Sequence, residues 1–295
     1  MALSDVLSAL SFIAIYGISY GVVLFTISVG LVVMMGLMRV VNMAHGVFAA
    51  VGGYITVSLM NAHGVPFAFA ALIAVLAVAA GSVIIERIFF VKLYGAPELD
   101  HVLMTIGLMF IGMAGLNLVF GPDIVPAHLP NVLTENVQIG DRTLQVYRIF
   151  IVGFGAVLMI ALWYVFERTS FGARLRAAVD NRGMAEAVGI NVRRLFSMAF
   201  ALGSGLAAVG GAVGLAVLPL EPTYAFKYLV LILIVVSMSG IGNLKASAWI
   251  SIALGVIDTA GRYFHPEAGG FIIYGVLIAW MVFRGHTLLQ APSAR

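Results

Sequence analysis

Glu167-Arg168-Thr169-Ser170-Phe171-Gly172-Ala173-Arg174-Leu175-Arg176-Ala177-Ala178-Val179-Asp180-Asn181-Arg182-Gly183-Met184-Ala185-Glu186-Ala187-Val188-Gly189-Ile190-Asn191 is a long polar stretch between two apolar runs, 147–166 and 195–218. A membrane-crossing helix needs roughly 20 apolar residues, which at ~1.5 Å each traverse ~30 Å of hydrocarbon. Both runs meet that length, so the charged stretch is a loop between two crossings. Reading outward, further candidate spans fall at about 9–36, 40–60, 66–90, 101–120, 227–243, 246–264 and 269–284. Inside lipid every backbone N–H and C=O must be satisfied within its own segment, which selects helices. The fold class is therefore all-α: a polytopic membrane bundle of about eight or nine helices, one domain over residues 1–295.

Composition agrees. Only 10% of the residues are charged, against about 25% in an average soluble domain. The hydrophobic fraction is 62% and the mean hydropathy is +1.09. So few charges cannot cover so much apolar surface in water. No polar stretch is long enough for a second, aqueous domain. With no cysteine, disulfides, thiolate metal sites and cysteine nucleophiles are excluded. The pI near 9.3 reflects membrane topology rather than a nucleic-acid surface, since the net charge is only +3. The N-terminal apolar run, from about Val6 to Met38, has no Lys or Arg before it and no small-residue cleavage site after it, so it reads as a membrane segment and not a signal peptide.

Lys and Arg orient the bundle. With the N-terminus outside, the inner ends hold twelve of the sixteen basic residues, and the outer ends hold only Arg142, Arg148, Lys227 and Arg262. The opposite orientation would translocate the 167–194 loop with its six arginines. The expected placement is a bacterial inner membrane with a periplasmic N-terminus and a cytoplasmic C-terminus. Within the inner loop, Ala173–Val179 and Met184–Val188 are rich in helix formers, interrupted at Gly183 and closed by Gly189. Two short helices at the membrane surface are expected. The outer loop, 121–146, contains Pro122, Pro126 and Pro130, then a possible hairpin of Val137–Ile139 with Thr143–Val146 around Gly140-Asp141.

Several polar residues lie in apolar surroundings. Asn42 and His45 are spaced to share one helical face. They either bond a neighbouring helix or border a translocation pathway, because facing lipid would leave them unpaired. Asp258 either pairs with Arg262 one turn away or lines the pathway; at mid-bilayer a carboxylate costs roughly 2.5–3.5 kcal/mol on insertion scales. Gly203, Gly205, Gly210, Gly211 and Gly214 read as a packing surface, since small residues let membrane helices approach closely. The remaining histidines offer no convergent metal-ligand spacing. Interruptions at Arg39–Gly46 and Gly240–Lys245, one in each half, are either the paired breaks of transporters built from inverted repeats or, at the second, a simple interhelical loop. No Gly-x-x-x-x-Gly-Lys-Ser/Thr phosphate loop is present, so the chain has no ATP motor of its own. A self-contained ion-coupled carrier, with Asp258 and His45 handling protons, and a scaffold without a pathway are the competing classes.

The inner loop, with its Thr169, Gly172, Arg174-Leu175-Arg176-Ala177 and Gly189-Ile190-Asn191, resembles the cytoplasmic coupling loop of permeases in branched-chain amino acid ABC transporters. Arg39-Val40-Val41-Asn42-Met43-Ala44-His45-Gly46, followed by Gly52-Gly53-Tyr54, is similar to the Asn-x-Ala-His-Gly signature of the LivH-type subunit. The likeness extends over nearly the whole chain, through Gly203–Gly214 and the Pro219–Tyr224 turn. It departs at Ser239–Lys245, where a plainer Gly-Gly-x-Gly-Ser run is usual, and at Met43, where an aromatic is common. The resemblance implies a permease with no catalytic residues and no cofactor, ATP and Mg residing on partner subunits. It also implies a homologous second permease (LivM-type), two ATPase subunits, a periplasmic binding protein, surrounding lipid, and no nucleic acid. Arg174, Arg176, Ala185, Glu186 and Gly189 would couple to the ATPase; Asn42, His45, Gly46 and Asp258 would border the pathway. Branched-chain or other hydrophobic amino acids are the implied substrates, with urea, short amides or aromatic acids as alternatives in the same family.

Because the chain lacks cysteine, the orientation is open to a clean test. In intact spheroplasts a membrane-impermeant maleimide should label Gln138→Cys, and should label Ala187→Cys only after lysis. The reverse pattern would invert the topology.

Overall fold

A computed structural model describes residues 3–38, 41–93, 97–139, 142–240, 242–267 and 269–289. Arg39, the Gly140-Asp141 turn, Ile241 and Arg295 lie outside them. Twelve α-helices and one hairpin follow in order: α1 Leu3–Met38, α2 His45–His63, α3 Phe67–Ile85, α4 Glu98–Phe120, α5 Asn131–Thr134, β1 Asn136–Ile139, β2 Arg142–Gln145, α6 Val146–Arg168, α7 Ser170–Asp180, α8 Arg182–Ala187, α9 Val192–Val213, α10 Tyr224–Ser239, α11 Leu244–Phe264 and α12 Gly269–Leu289.

Each of the nine expected spans is a helix. Five stretches are long and apolar enough to cross a bilayer on composition alone: Ala9–Gly36, Phe67–Phe90, Leu99–Phe120, Val146–Arg168 and Val192–Val213. Gly, Ser, Asn and His dilute the apolar content of α2, and Gly, Ser, Lys245, Asp258 and Arg262 that of α11, while α10 and the apolar part of α12 are shorter. The two short helices of the 167–194 loop also form, as α7 and α8. The hairpin is antiparallel, pairing Val137 with Leu144 and Ile139 with Arg142. Its second strand ends at Gln145 rather than Val146, because Val146 already begins α6.

Burial sorts the helices into layers. The apolar window of α1 is 83% buried and that of α9 is 72%, whereas those of α3, α4 and α6 are only 17–22% buried. Thus α1 and α9 form the centre, with α2, α3, α10 and α11 packed around them. Glycine makes that centre possible. A methyl group on Gly203 of α9 would sit 2.8 Å from the Gly30 carbonyl oxygen of α1, and one on Gly210 would sit 2.8 Å from the Ile27 nitrogen. On the other flank of α1, a methyl on Gly21 would lie 2.6 Å from Ile252 Cα of α11. Gly211 of α9 faces the Ala49 carbonyl of α2 in the same way. The sequence-level reading of Gly203–Gly214 as a packing surface therefore holds.

Two helices depart from the expected lengths. α9 stops at Val213 instead of 218, in a run of glycines, which disfavour helix. α3 continues into a π-helical turn, Glu86–Phe90, which carries Glu86 and Phe90 into full burial.

Substituting Gly203→Leu should therefore lower stability by at least about 1–3 kcal/mol, the usual cost of overpacking, read as a fall in the detergent unfolding midpoint. Gly107→Ala in α4 meets open space and should stay within ~0.5 kcal/mol of the parent.

Candidate functional site

The first break in the bundle is built from short-range competition for backbone groups. Asn42 Oδ1 accepts the Ala44 N–H at 3.0 Å, and the Asn42 carbonyl accepts the His45 N–H at 3.2 Å. An Asn side chain that satisfies its own backbone favours a turn over helix continuation. α2 consequently starts at His45, and the expected helix from residue 40 with Asn42 and His45 on one face is corrected. The two residues belong to one tight turn, both buried.

Four helices converge on this turn. The His45 ring donates from Nε2 to the Ile27 carbonyl of α1 at 2.9 Å, leaving Nδ1 without a hydrogen-bond partner among the described residues. Thr105 Oγ1 of α4 accepts the Met43 N–H at 3.1 Å. A methyl on Gly46 would meet the backbone of Ala225 in α10 at 2.9 Å. Phe48, one turn into α2, packs edge-on against Phe200 of α9, with centroids 6.0 Å apart. The reading in which this polar pair bonds a neighbouring helix is met at His45. Asn42 keeps a buried, unpartnered Nδ2.

The second break, at Gly240–Asn243, lies beside the same helix. Gly240 and Gly242 have φ of +79° and +78°, and Asn243 caps α11 by accepting the Ala246 N–H at 3.0 Å. A methyl on Gly36, in the last turn of α1, would lie 2.6 Å from Gly242 Cα. Asp258 stands apart from both breaks. It lies on α11 at the level where that helix crosses Gly17 and Gly21, and its Oδ2 accepts from Arg262 Nε at 2.8 Å. The ion-pair reading describes it, although Oδ1 remains buried and unpartnered. Asn42, His45 and Gly46 thus form one cluster, and Asp258 is not part of it.

In the charged loop, three caps set three helices in series. Thr169 accepts from the Gly172 N–H, Asn181 from Met184 and Asn191 from Arg194. α8 ends with the Ile190 N–H on the Ala185 carbonyl at 2.9 Å and the Gly189 N–H on that of Glu186 at 3.0 Å. This closure requires a left-handed residue, which Gly189 supplies at φ +86°. One face of the loop is apolar: Leu175, Ala178 and Ala185 pack with Val192, Leu195, Phe196 and Ala199 of α9, and Met38 of α1 lies against them. Ala185 is only 3% exposed, which corrects its placement as a surface contact. Arg174, Arg176, Glu186 and Gly189 are exposed, and Arg182 pairs with Glu186 at 3.0 Å. Between them Met184 and Val188 stand 63% and 70% exposed.

A membrane-helix bundle with two paired breaks and a structured charged loop is the setting for the comparisons. The family described as "Branched-chain amino acid transport system / permease component" matches residues 13–281. The chain belongs to this permease family. A branched-chain amino acid permease protein of Pseudomonas aeruginosa, BraD, is 25% identical, over 94% of each chain. A probable LivH permease of Methanocaldococcus jannaschii is 24% identical, covering 93% of this chain and 89% of its own. LivH of Salmonella typhimurium is 23% identical over 94% of each. Among solved structures, a chain of PsaBC from Streptococcus pneumoniae in complex with Fab aligns with a TM-score of 0.49 and 13% identity, over 91% of this chain and 89% of that one.

Three features of this permease escape sequence reasoning. Thr105 is one threonine in an apolar helix, and only the folded packing places it against Met43. Glu86 is fully buried and accepts from Ser197 Oγ of α9 at 2.8 Å; its signal was a lone acid within the apolar run 66–90. Met184 and Val188 look like ordinary helix residues until the loop folds and leaves them outside.

Thr105→Val should loosen the turn by about 1 kcal/mol, because it removes the acceptor of the part-buried Met43 N–H. Thr105→Ser should restore most of that loss, and both are read from thermal unfolding of the purified permease.

Proposed function

We propose that this permease is a membrane subunit of an ATP-driven importer that carries branched-chain or closely related hydrophobic amino acids across the bacterial inner membrane. The N-terminus is periplasmic and the C-terminus cytoplasmic, so α7 and α8 face the cytoplasm. A homologous second permease, two ATPase subunits and a periplasmic binding protein complete the assembly. ATP and Mg act on the ATPase subunits, and this chain takes no catalytic part.

The observation that carries the reading is the exposed apolar pair on α8. Met184 lies within α8 and Val188 at its C-cap, four residues apart in an otherwise charged loop. Large apolar side chains exposed side by side mark a contact surface more often than a solvated one. Arg182 and Glu186 form an ion pair on the same helix, and Arg174 and Arg176 add exposed charge on α7. Ala185, next to Met184 in the chain, is turned inward against α9. Its small side chain seats α8 on α9, so a push on Met184 and Val188 is transmitted to α9 through Ala185 and Phe196.

Movement of α9 carries α1 and α2 with it, because their backbones are in glycine-mediated contact. The turn at Asn42, His45 and Gly46 then serves as the joint between α1 and α2, and Gly240–Asn243 as the joint between α10 and α11. Hinges of this kind absorb φ/ψ changes at element ends while the helices move as rigid bodies. A sparsely charged bundle suits hydrophobic amino acids, whose zwitterionic end needs only a few dipoles. The similar permeases are all named for branched-chain amino acid transport, which supports the same substrate class.

The test uses the whole assembly, co-expressed and purified through this chain. Replacing Met184 and Val188 with Glu should reduce ATPase co-purification by roughly tenfold or more, equivalent to ~1.4 kcal/mol. Labelled-leucine uptake should fall with it while the yield of folded permease holds. Retention of both ATPase binding and uptake would overturn the docking assignment. Ion-gradient-driven transport by this chain alone in proteoliposomes would replace the importer with a secondary carrier.

A further inference from the structure

A cavity of about 400 Å³ opens at the α7–α8 end of the bundle, between α1, α6, α7 and the start of α11. Its walls and its rim have different chemistry. Phe25 and Val33 of α1 and Met159 and Leu162 of α6 make the walls apolar. The rim brings together two cations, Arg176 and Lys245, and two carboxylates, Glu167 and Asp180. None of the four is in an ion pair among the described residues. All four are exposed, and Arg176 spends one of its guanidinium donors on the Phe166 carbonyl, so the rim holds charge of both signs without ion-pair partners above an apolar shaft.

We infer that this cavity binds an aminophospholipid of the phosphatidylethanolamine type from the leaflet at the α7–α8 end, phosphate toward Arg176 and Lys245, ammonium toward Glu167 and Asp180, one acyl chain along α1. Depth separates this occupant from a free amino acid. The wall runs from Gly36, in the last turn of α1, down to Phe25, eleven residues along the same helix. That is about 16 Å at ~1.5 Å per residue, roughly half of the ~30 Å hydrocarbon thickness. A shaft one leaflet deep matches an acyl chain and far exceeds the side chain of leucine.

The level of the mouth is consistent. Trp163 at the cavity wall and Trp249 on α11 are 39% and 69% exposed, and Trp is enriched where lipid headgroups meet the hydrocarbon. Arg168 stacks over the Trp163 ring at 5.3 Å. Mixed rim charge sets the headgroup preference. Basic pockets between membrane helices select anionic lipids, whereas the added carboxylates here call for a headgroup that also carries N–H donors. A lipid so placed would wedge α7 against α1, α6 and α11.

The experiment uses the full chain in nanodiscs containing a trace phosphatidylethanolamine with a photoreactive group midway along one acyl chain. Crosslinks should map to α1 between Phe25 and Gly36 and to α6 between Met159 and Phe166. Phosphatidylglycerol and phosphatidylcholine analogues should give weaker labelling of these peptides. The exposed rim variant Lys245→Ala should lower labelling roughly fivefold, the effect of about one basic residue on an anionic headgroup. Asp180→Ala should narrow the preference for ethanolamine over glycerol. Leu162→Trp, which fills the shaft, should abolish the cavity crosslinks while leaving those on α4 and α12 intact. Even labelling of α3, α4 and α12 with no response to Lys245→Ala would mean annular lipid only and overturn the proposal. Displacement by excess leucine would also overturn it, assigning the cavity to transported solute.

Discussion

The contact on which the bundle depends is the backbone-to-backbone approach of α1 and α9 at Gly30 and Gly203. Lipid tails are as apolar as leucine, so no hydrophobic gain draws membrane helices together. What remains is dispersion between closely fitted surfaces, and dispersion falls steeply with a gap of even half an ångström. Glycine removes that gap. The same device repeats where α1 meets α11 at Gly17, Gly21 and Gly255, and where α2 meets α9 at Gly52 and Gly211. These four helices accordingly behave as one block, and the more exposed α3, α4 and α6 surround it.

A block held by close packing moves only where its chain is interrupted. Both interruptions sit against the α1 helix. At the first, buried polar groups replace helical hydrogen bonds: Asn42 turns the chain, Thr105 holds Met43, and His45 reaches the Ile27 carbonyl. The remaining buried atoms there, Asn42 Nδ2 and His45 Nδ1, have no partner among the described residues. Buried polar groups without partners are costly, so this junction is held less tightly than a saturated one. The second interruption achieves the same freedom with two glycines at positive φ.

In the proposed importer the charged loop would convert a surface event into motion of that block. Its three Asx- and Thr-type caps and the Gly189 closure rigidify it locally. Its apolar face, centred on Ala185 and Leu175, continues directly into α9. Small residues on the inner face and large ones on the outer face are therefore two halves of one arrangement. The inner side demands close approach, and the outer side demands grip.

Much of this protein was legible in its sequence because membrane topology is a one-dimensional problem. Span length, apolar content and turn residues located all nine long helices, the hairpin and the two loop helices, since each depends on local hydrogen bonding and on the cost of burying charge. The Asn-x-Ala-His-Gly stretch and the glycine run were likewise visible as places of special packing. What the sequence left open was direction. A period of 3.6 does not say that Ala185 faces inward and Met184 outward, that Asn42 ends a turn rather than joining a helix, or that Asp258 answers to Arg262 and lies away from His45. Those outcomes follow from which helices meet, and in lipid that choice is made by three-dimensional fit between surfaces of nearly equal hydrophobicity.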